Sequence, residues 1–233
     1  LARLTPRELT VLEAMAEGAQ DEEGWENDPK CALVVDEFYV IQFDVVKQTL
    51  KELAAQGFGF DGPTLDALVA SFDAIDHVMV GTFKTPFFIK GGPQSKDPNA
   101  SFDMDFATGE GEVTTDTVQF MLTVPKETAT RKQPFPVAYY GHGYTSSSLE
   151  SLGFGGWMAS QGIASVGMNA TYHGLELGET ELNLARNLFA TACQAPFGSA
   201  MLQNRARDLD GDGAYDSGGD YWTSYLFHTR DVV

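Results

Sequence analysis

Two short stretches of this chain carry residue types that can do chemistry. The first is Gly141-His142-Gly143-Tyr144, which follows the apolar run Phe135-Pro136-Val137-Ala138-Tyr139-Tyr140 and leads into Thr145-Ser146-Ser147. An apolar run that stops in a Gly-His-Gly turn reads as a buried strand opening into a loop whose backbone comes close to a cleft. Backbone N–H groups placed there can donate to the negative charge that develops on a carbonyl oxygen during acyl transfer. Tyr144 is the candidate N–H donor, and His142 and Gly143 would shape the turn.

The second stretch is Asp208-Leu209-Asp210-Gly211-Asp212-Gly213-Ala214-Tyr215-Asp216. Carboxylates at alternate positions with glycine at the sixth allow a loop to wrap oxygen ligands around one hard cation. Asp208, Asp210 and Asp212 fall at loop positions one, three and five, Ala214 offers a carbonyl at seven, and Asp216 falls at nine. Position twelve, where an EF-hand places a bidentate glutamate, is Gly219, so this is a different kind of calcium loop, completed from elsewhere. Repulsion among carboxylates so close in sequence favours a bound Ca²⁺ over a solvated turn. Mg²⁺ suits an irregular all-protein cage less well. The expected role is structural.

Other candidates carry less. A triad built from Ser146, Ser147 or Ser148 with His173 or His228 is arithmetically possible, but a triad is a matter of geometry. His173 could line the cleft or pack behind it. Cys31 and Cys193 are isolated from each other and from any histidine pair, which excludes a zinc site and leaves a disulfide and two thiols equally open. Phe154, Trp157 and Met158 read first as core packing and second as contacts for an acyl chain.

The elements that must position these residues follow from periodicity. Thr5-Pro6-Arg7-Glu8 has the form of a helix start, and Val46, Leu50 and Leu53 lie on one face of a helix closed by Gly57. Leu65, Leu68, Val69, Phe72 and Ile75 predict a second helix. Cys31–Val35 and Phe38–Ile41 are apolar runs of ambiguous type. His77–Phe83 and Thr85–Ile89 read as two strands, with Pro86 marking an edge or bulge. A loop-rich stretch from Gly91 to Gly111 divides residues 1–111, a mixed α+β region, from residues 112–233.

Past that boundary, Thr117–Val124 alternates as a strand, and Phe135–Tyr140, Leu149–Gln161 and Ile163–Met168 make a strand, helix and strand. Such a βαβ unit brings its two strands parallel. Glu179–Ala192 is a further helix, with Leu182, Ala185 and Phe189 on one side, and Tyr221–Val233 reads as the start of another.

The region from Thr117 to Gly174 resembles the N-terminal half of an α/β-hydrolase core of the secreted bacterial lipase and esterase type. Phe135–Ser147 matches the strand that ends in a His-Gly oxyanion motif, and Ile163–Gly174 matches the next core strand. The resemblance implies an α/β fold, a mostly parallel sheet with flanking helices, and a serine-type hydrolase acting on a carboxylic ester or related acyl substrate, small molecule or lipid. It also implies an extracellular or periplasmic location. The family's nucleophile sits in Gly-x-Ser-x-Gly, and that pentapeptide does not occur in these residues. The expectation is therefore a fragment that contributes the oxyanion turn and is inactive alone, its nucleophile, acid and base lying past Val233. The reading from a different class is a non-catalytic, calcium-dependent binding or scaffold module.

Composition narrows the alternatives. The chain has 233 residues, 43% of them hydrophobic, with a formal net charge of -18. Its mean hydropathy is -0.18, in the range of globular proteins. A field of that sign repels nucleic acid and anionic membranes and attracts divalent cations. No run reaches the ~20 apolar residues of a membrane-spanning helix. The sequence carries no signal for oligomeric state.

Overall fold

A computed structural model describes residues 33–35, 38–55, 66, 69–97, 99–102, 104–144, 146–175, 177, 179–191, 194–208, 210–211 and 215–216. The helix start at Thr5, both cysteines, Asp212, Ala214, His228 and the helix expected from Tyr221 lie outside the described residues. The strands are β1 (Leu33–Val35), β2 (Phe38–Gln42), β3 (Ile75–Phe87), β4 (Met104–Asp105), β5 (Glu110–Gly111), β6 (Thr114–Pro125), β7 (Val137–Tyr140) and β8 (Ala164–Gly167). The α-helices are α1 (Phe43–Ala55), α2 (Leu149–Ser160), α3 (Glu179–Thr191) and α4 (Ala195–Met201).

Six strands form one mixed sheet in the order β1-β2-β3-β6-β8-β7, and β4 pairs with β5 as a separate two-stranded ribbon. Its longest ladder joins β3 to β6, from Ile75 opposite Pro125 to Phe87 opposite Thr114. The sheet thus runs without a break from the region before residue 111 into the region after it. What reads as two strands around Pro86 is one. Among the described residues β2 accompanies β3 only over His77–Val80, so there Pro86 has β6 alone beside it and a missing N–H costs least.

The expectation of a mostly parallel sheet is corrected. The pairs β1–β2, β2–β3, β3–β6 and β6–β8 are antiparallel, and only β7–β8 is parallel. The reason is connectivity. A parallel pair needs a crossover, and among the described residues the sheet has one, the helix α2 between β7 and β8.

The larger core lies on one face of the sheet. There Ile75, Val78, Val80 and Met121 meet Phe43 and Val46 of α1, Leu152 and Ala159 of α2, Phe189 of α3 and Phe197 of α4. A smaller cluster of Val40, Met79, Val124, Phe135 and Ala164 covers the other face. β6 is buried on both sides, which explains why Met121 and Thr123 are as enclosed as Val118 and Val124. Helix α2 packs close because of glycine: a Cβ at Gly156 would lie 2.2 Å from the Ser71 carbonyl oxygen. Phe154 and Trp157 do not join the core. They are 51% and 58% exposed, with Phe154 stacked on Tyr140 at 4.9 Å between ring centroids.

Candidate functional site

Parallel pairing sets Tyr140 beside Gly167, so β7 and β8 finish at the same level and their exit loops lie next to each other. In α/β sheets this is where ligands bind. In the first loop, the Ser146 N–H donates to the Gly143 carbonyl at 3.1 Å, closing a turn that contains Tyr144. The Gly143 N–H donates to Glu150 Oε2 at 2.8 Å. His142 reaches both ways: its Nε2 accepts the Ala170 N–H at 3.0 Å, and its Nδ1 lies 2.8 Å from the Gly143 carbonyl. A nitrogen that accepts an N–H carries no proton, so the proton is on Nδ1 and donates to Gly143. Burial first, then His173, pushes the pKa of His142 below its usual 6.5 against the opposing pull of Gly143 and Glu150.

The second loop, Asn169-Ala170-Thr171-Tyr172-His173, is folded back by the His173 N–H bonding the Ala170 carbonyl at 3.1 Å. Tyr172, buried, has a φ of 61°, an uncommon conformation for an aromatic residue. The His173 ring lies 5.0 Å from that of His142 and meets Tyr144 edge-on at 5.3 Å. Its Nδ1 bonds the Thr171 carbonyl at 2.9 Å, leaving Nε2 as the basic nitrogen. Arg205 fastens the loop from below, donating to the Asn169 carbonyl at 2.6 Å and Thr171 Oγ1 at 3.2 Å, and pairing with Asp116 at the start of β6. Asn169 ties the two loops together. Its Oδ1 accepts the Ser148 N–H at 2.6 Å, and its Nδ2 donates to the Gln203 carbonyl.

His142, Gly143 and Tyr144 therefore stand together as one turn, braced against the exit of β8. The residues that brace them, Glu150, Asn169, Ala170 and Arg205, carry no signal in the sequence that sets them apart. Glu150 in the first turn of a helix is an ordinary preference of helix termini, and only its contact with Gly143 sets it apart. Ser147 and Ser148 are buried, and neither they nor Ser146 hydrogen-bonds a described imidazole. His77 is remote in role: buried in β3, it pairs through Nδ1 with Asp76 at 2.7 Å.

The aspartate loop is closed by an antiparallel bridge between Arg207 and Asp216, with the Asp216 N–H on the Arg207 carbonyl at 2.8 Å. Gly211 turns the chain with φ at 80°, and its N–H donates to Asp208 Oδ1 at 2.7 Å. Oxygens of Asp208, Asp210 and Asp216 come within 4.8 Å of one another. Ligands across one Ca²⁺ lie up to roughly 5 Å apart, so this set could hold a metal ion. All its donors are hard oxygens, which suits Ca²⁺ rather than a soft metal. Asp212 and Ala214 lie outside the described residues.

No helix among the described residues is long and apolar enough to cross a membrane. Comparison of the chain with family models, with curated proteins and with solved structures gives no match.

Proposed function

We propose that the chain supplies the oxyanion side of a serine-type α/β-hydrolase acting on a carboxylic ester or related acyl substrate, small molecule or lipid. The observation that carries this reading is the β7–α2–β8 unit, whose His142-Gly143 turn is cross-linked to the β8 exit at the carboxyl ends of two parallel strands. In such hydrolases one N–H of the oxyanion hole comes from the loop between a core strand and the helix that follows it. Here that loop is Gly141–Ser148, and Tyr144 at the turn's apex is the donor. His142 and Gly143 hold the turn, since both ring nitrogens of one and the N–H of the other are engaged within the scaffold. The nucleophile, acid and base come from outside the described residues.

The test is hydrolysis of p-nitrophenyl acetate and butyrate by the native polypeptide that carries this chain. Turnover blocked by a serine-directed phosphonate supports the reading. A folded protein that hydrolyses neither ester and takes up no phosphonate contradicts it.

Asp208, Asp210 and Asp216, with Asp212 and the Ala214 carbonyl, form a structural Ca²⁺ site in this account. With this site goes an extracellular or periplasmic location, where Ca²⁺ modules bind weakly, at roughly 10⁻⁴–10⁻³ M. Titration calorimetry of the parent should give Ca²⁺ heat that Asp210→Ala removes. Absence of heat in the parent would eliminate the site. The clustering of these three carboxylates also favours the second reading, a calcium-dependent scaffold without catalysis. Calcium binding with no ester turnover would select it.

A further inference from the structure

Gly143 is tied on both sides of its Cα, through its N–H and through the carbonyl of the peptide unit that also carries the Tyr144 N–H. Its carbonyl accepts from Ser146 and His142, and its N–H points at Glu150. The Glu150 carboxylate also receives the Tyr140 hydroxyl at 3.5 Å and the Ser146 side chain. A strand, a loop and a turn therefore meet on one carboxylate carried by the first turn of α2. The helix is a fixed platform, seated on Ser71 through Gly156, whereas no ladder among the described residues holds the loop after β7.

We propose that Glu150 is a positioning residue, which sets the Gly143–Ser146 turn, and so the direction of the Tyr144 N–H, by accepting the Gly143 N–H from the first turn of α2. This rests on the reading of that turn as the oxyanion side of a hydrolase site. The groups facing Glu150 are the Tyr140 hydroxyl, the Gly143 N–H, the Ser146 side chain and His142, with His173 behind His142. Burial raises the Glu150 pKa, but these donors more than offset it and leave the group below its usual 4.5. The hold is complete above that usual value and is lost as pH falls through the lower native one.

Glu150→Gln keeps an acceptor oxygen without a titrating proton, and Glu150→Ala removes the acceptor. Amide NMR of the chain, followed from about pH 7 to pH 3, reads the turn directly. In the parent, the Gly143 and Tyr144 amides should show, apart from the step of His142 that the Ala170 amide reports, a shared step with its midpoint below the ordinary glutamate value. The Gln variant should keep their neutral positions and lose that lower step, while the His142 step remains. The Ala variant should displace both and speed Gly143 hydrogen exchange by roughly tenfold or more, while β7 and β8 amides stay in place. An unmoved Tyr144 amide in the Ala variant, or a step in the Gln variant that persists beyond the one the Ala170 amide reports, overturns the proposal. If the native polypeptide hydrolyses esters, the Ala variant should lose roughly 10- to 100-fold in kcat with little change in KM, and Gln should restore most of it. An Ala variant with parental kcat sinks Glu150 alone; a parent without hydrolysis sinks the functional reading and leaves the NMR outcome standing.

Discussion

Nε2 of His142 accepts the Ala170 N–H while its Nδ1–H donates to Gly143, so both ring nitrogens are spent on joining two loops. Protonation would put a hydrogen on Nε2 and break the bond from Ala170. Because burial holds the native pKa below the usual 6.5, the unfolded chain binds that proton more readily. The contribution of His142 to stability is present above the unfolded value and is lost as pH falls through the native one. His142→Gln, which can still accept and donate, removes this dependence. The difference in urea midpoint between the parent and this variant should be flat above about pH 7 and shrink below it. Arg205 is a second such point, since it holds Asp116, the Asn169 carbonyl and Thr171 Oγ1 at once. Arg205→Ala strands a partly buried carboxylate, and denaturant unfolding should show a loss of about 3 kcal/mol or more.

Helix α2 makes the site possible by how closely it lies on the rest of the molecule. With the Ser71 carbonyl 2.2 Å from where a Cβ would stand, Gly156→Ala must push the helix outward and carry Glu150 with it. Overpacking of this kind costs roughly 1–3 kcal/mol in thermal or urea unfolding, and the Gly143 amide should move as well. The order of the β7–α2–β8 unit is readable from sequence because its signals are local: apolar runs, short loops and a helical stripe of Leu152, Gly156 and Ala159. Yet β7, expected to be buried, is an edge strand among the described residues, with Val137 and Tyr139 exposed. The pairing of β3 with β6 is not readable, because the loop-rich residues between them give no register. Extending the one parallel unit to the whole sheet fails for the same reason. His142, Gly143 and Tyr144 show in the sequence as a turn, but Glu150, Asn169 and Arg205 acquire roles only once distant segments meet. Phe154 and Trp157 read as core because they are large and apolar, yet both stay more than half exposed, Phe154 against Tyr140 on the edge strand β7.

Taken whole, one mixed sheet joins the mixed N-terminal region to the unit that carries the site, with the larger core on the site's helical side. A chain with a net charge of -18 gains from any cation that neutralises its acidic loop. At a Ca²⁺ concentration of about 100 times the Kd, binding should stabilise the fold by roughly 2.7 kcal/mol, seen as a rise in Tm that Asp210→Ala abolishes. In the proposed hydrolase, transition-state stabilisation by this chain rests on a single N–H. Tyr144 follows Gly143 at the second position of a turn closed by Ser146, a place that accepts proline. Tyr144→Pro therefore deletes the donor within a compatible backbone, while Tyr144→Ala deletes the ring that meets His173 and keeps the N–H. Measured as kcat for p-nitrophenyl butyrate in the native polypeptide, the proline variant should fall about 100- to 1000-fold and the alanine variant far less. Equal activity in the proline variant and the parent would contradict the account.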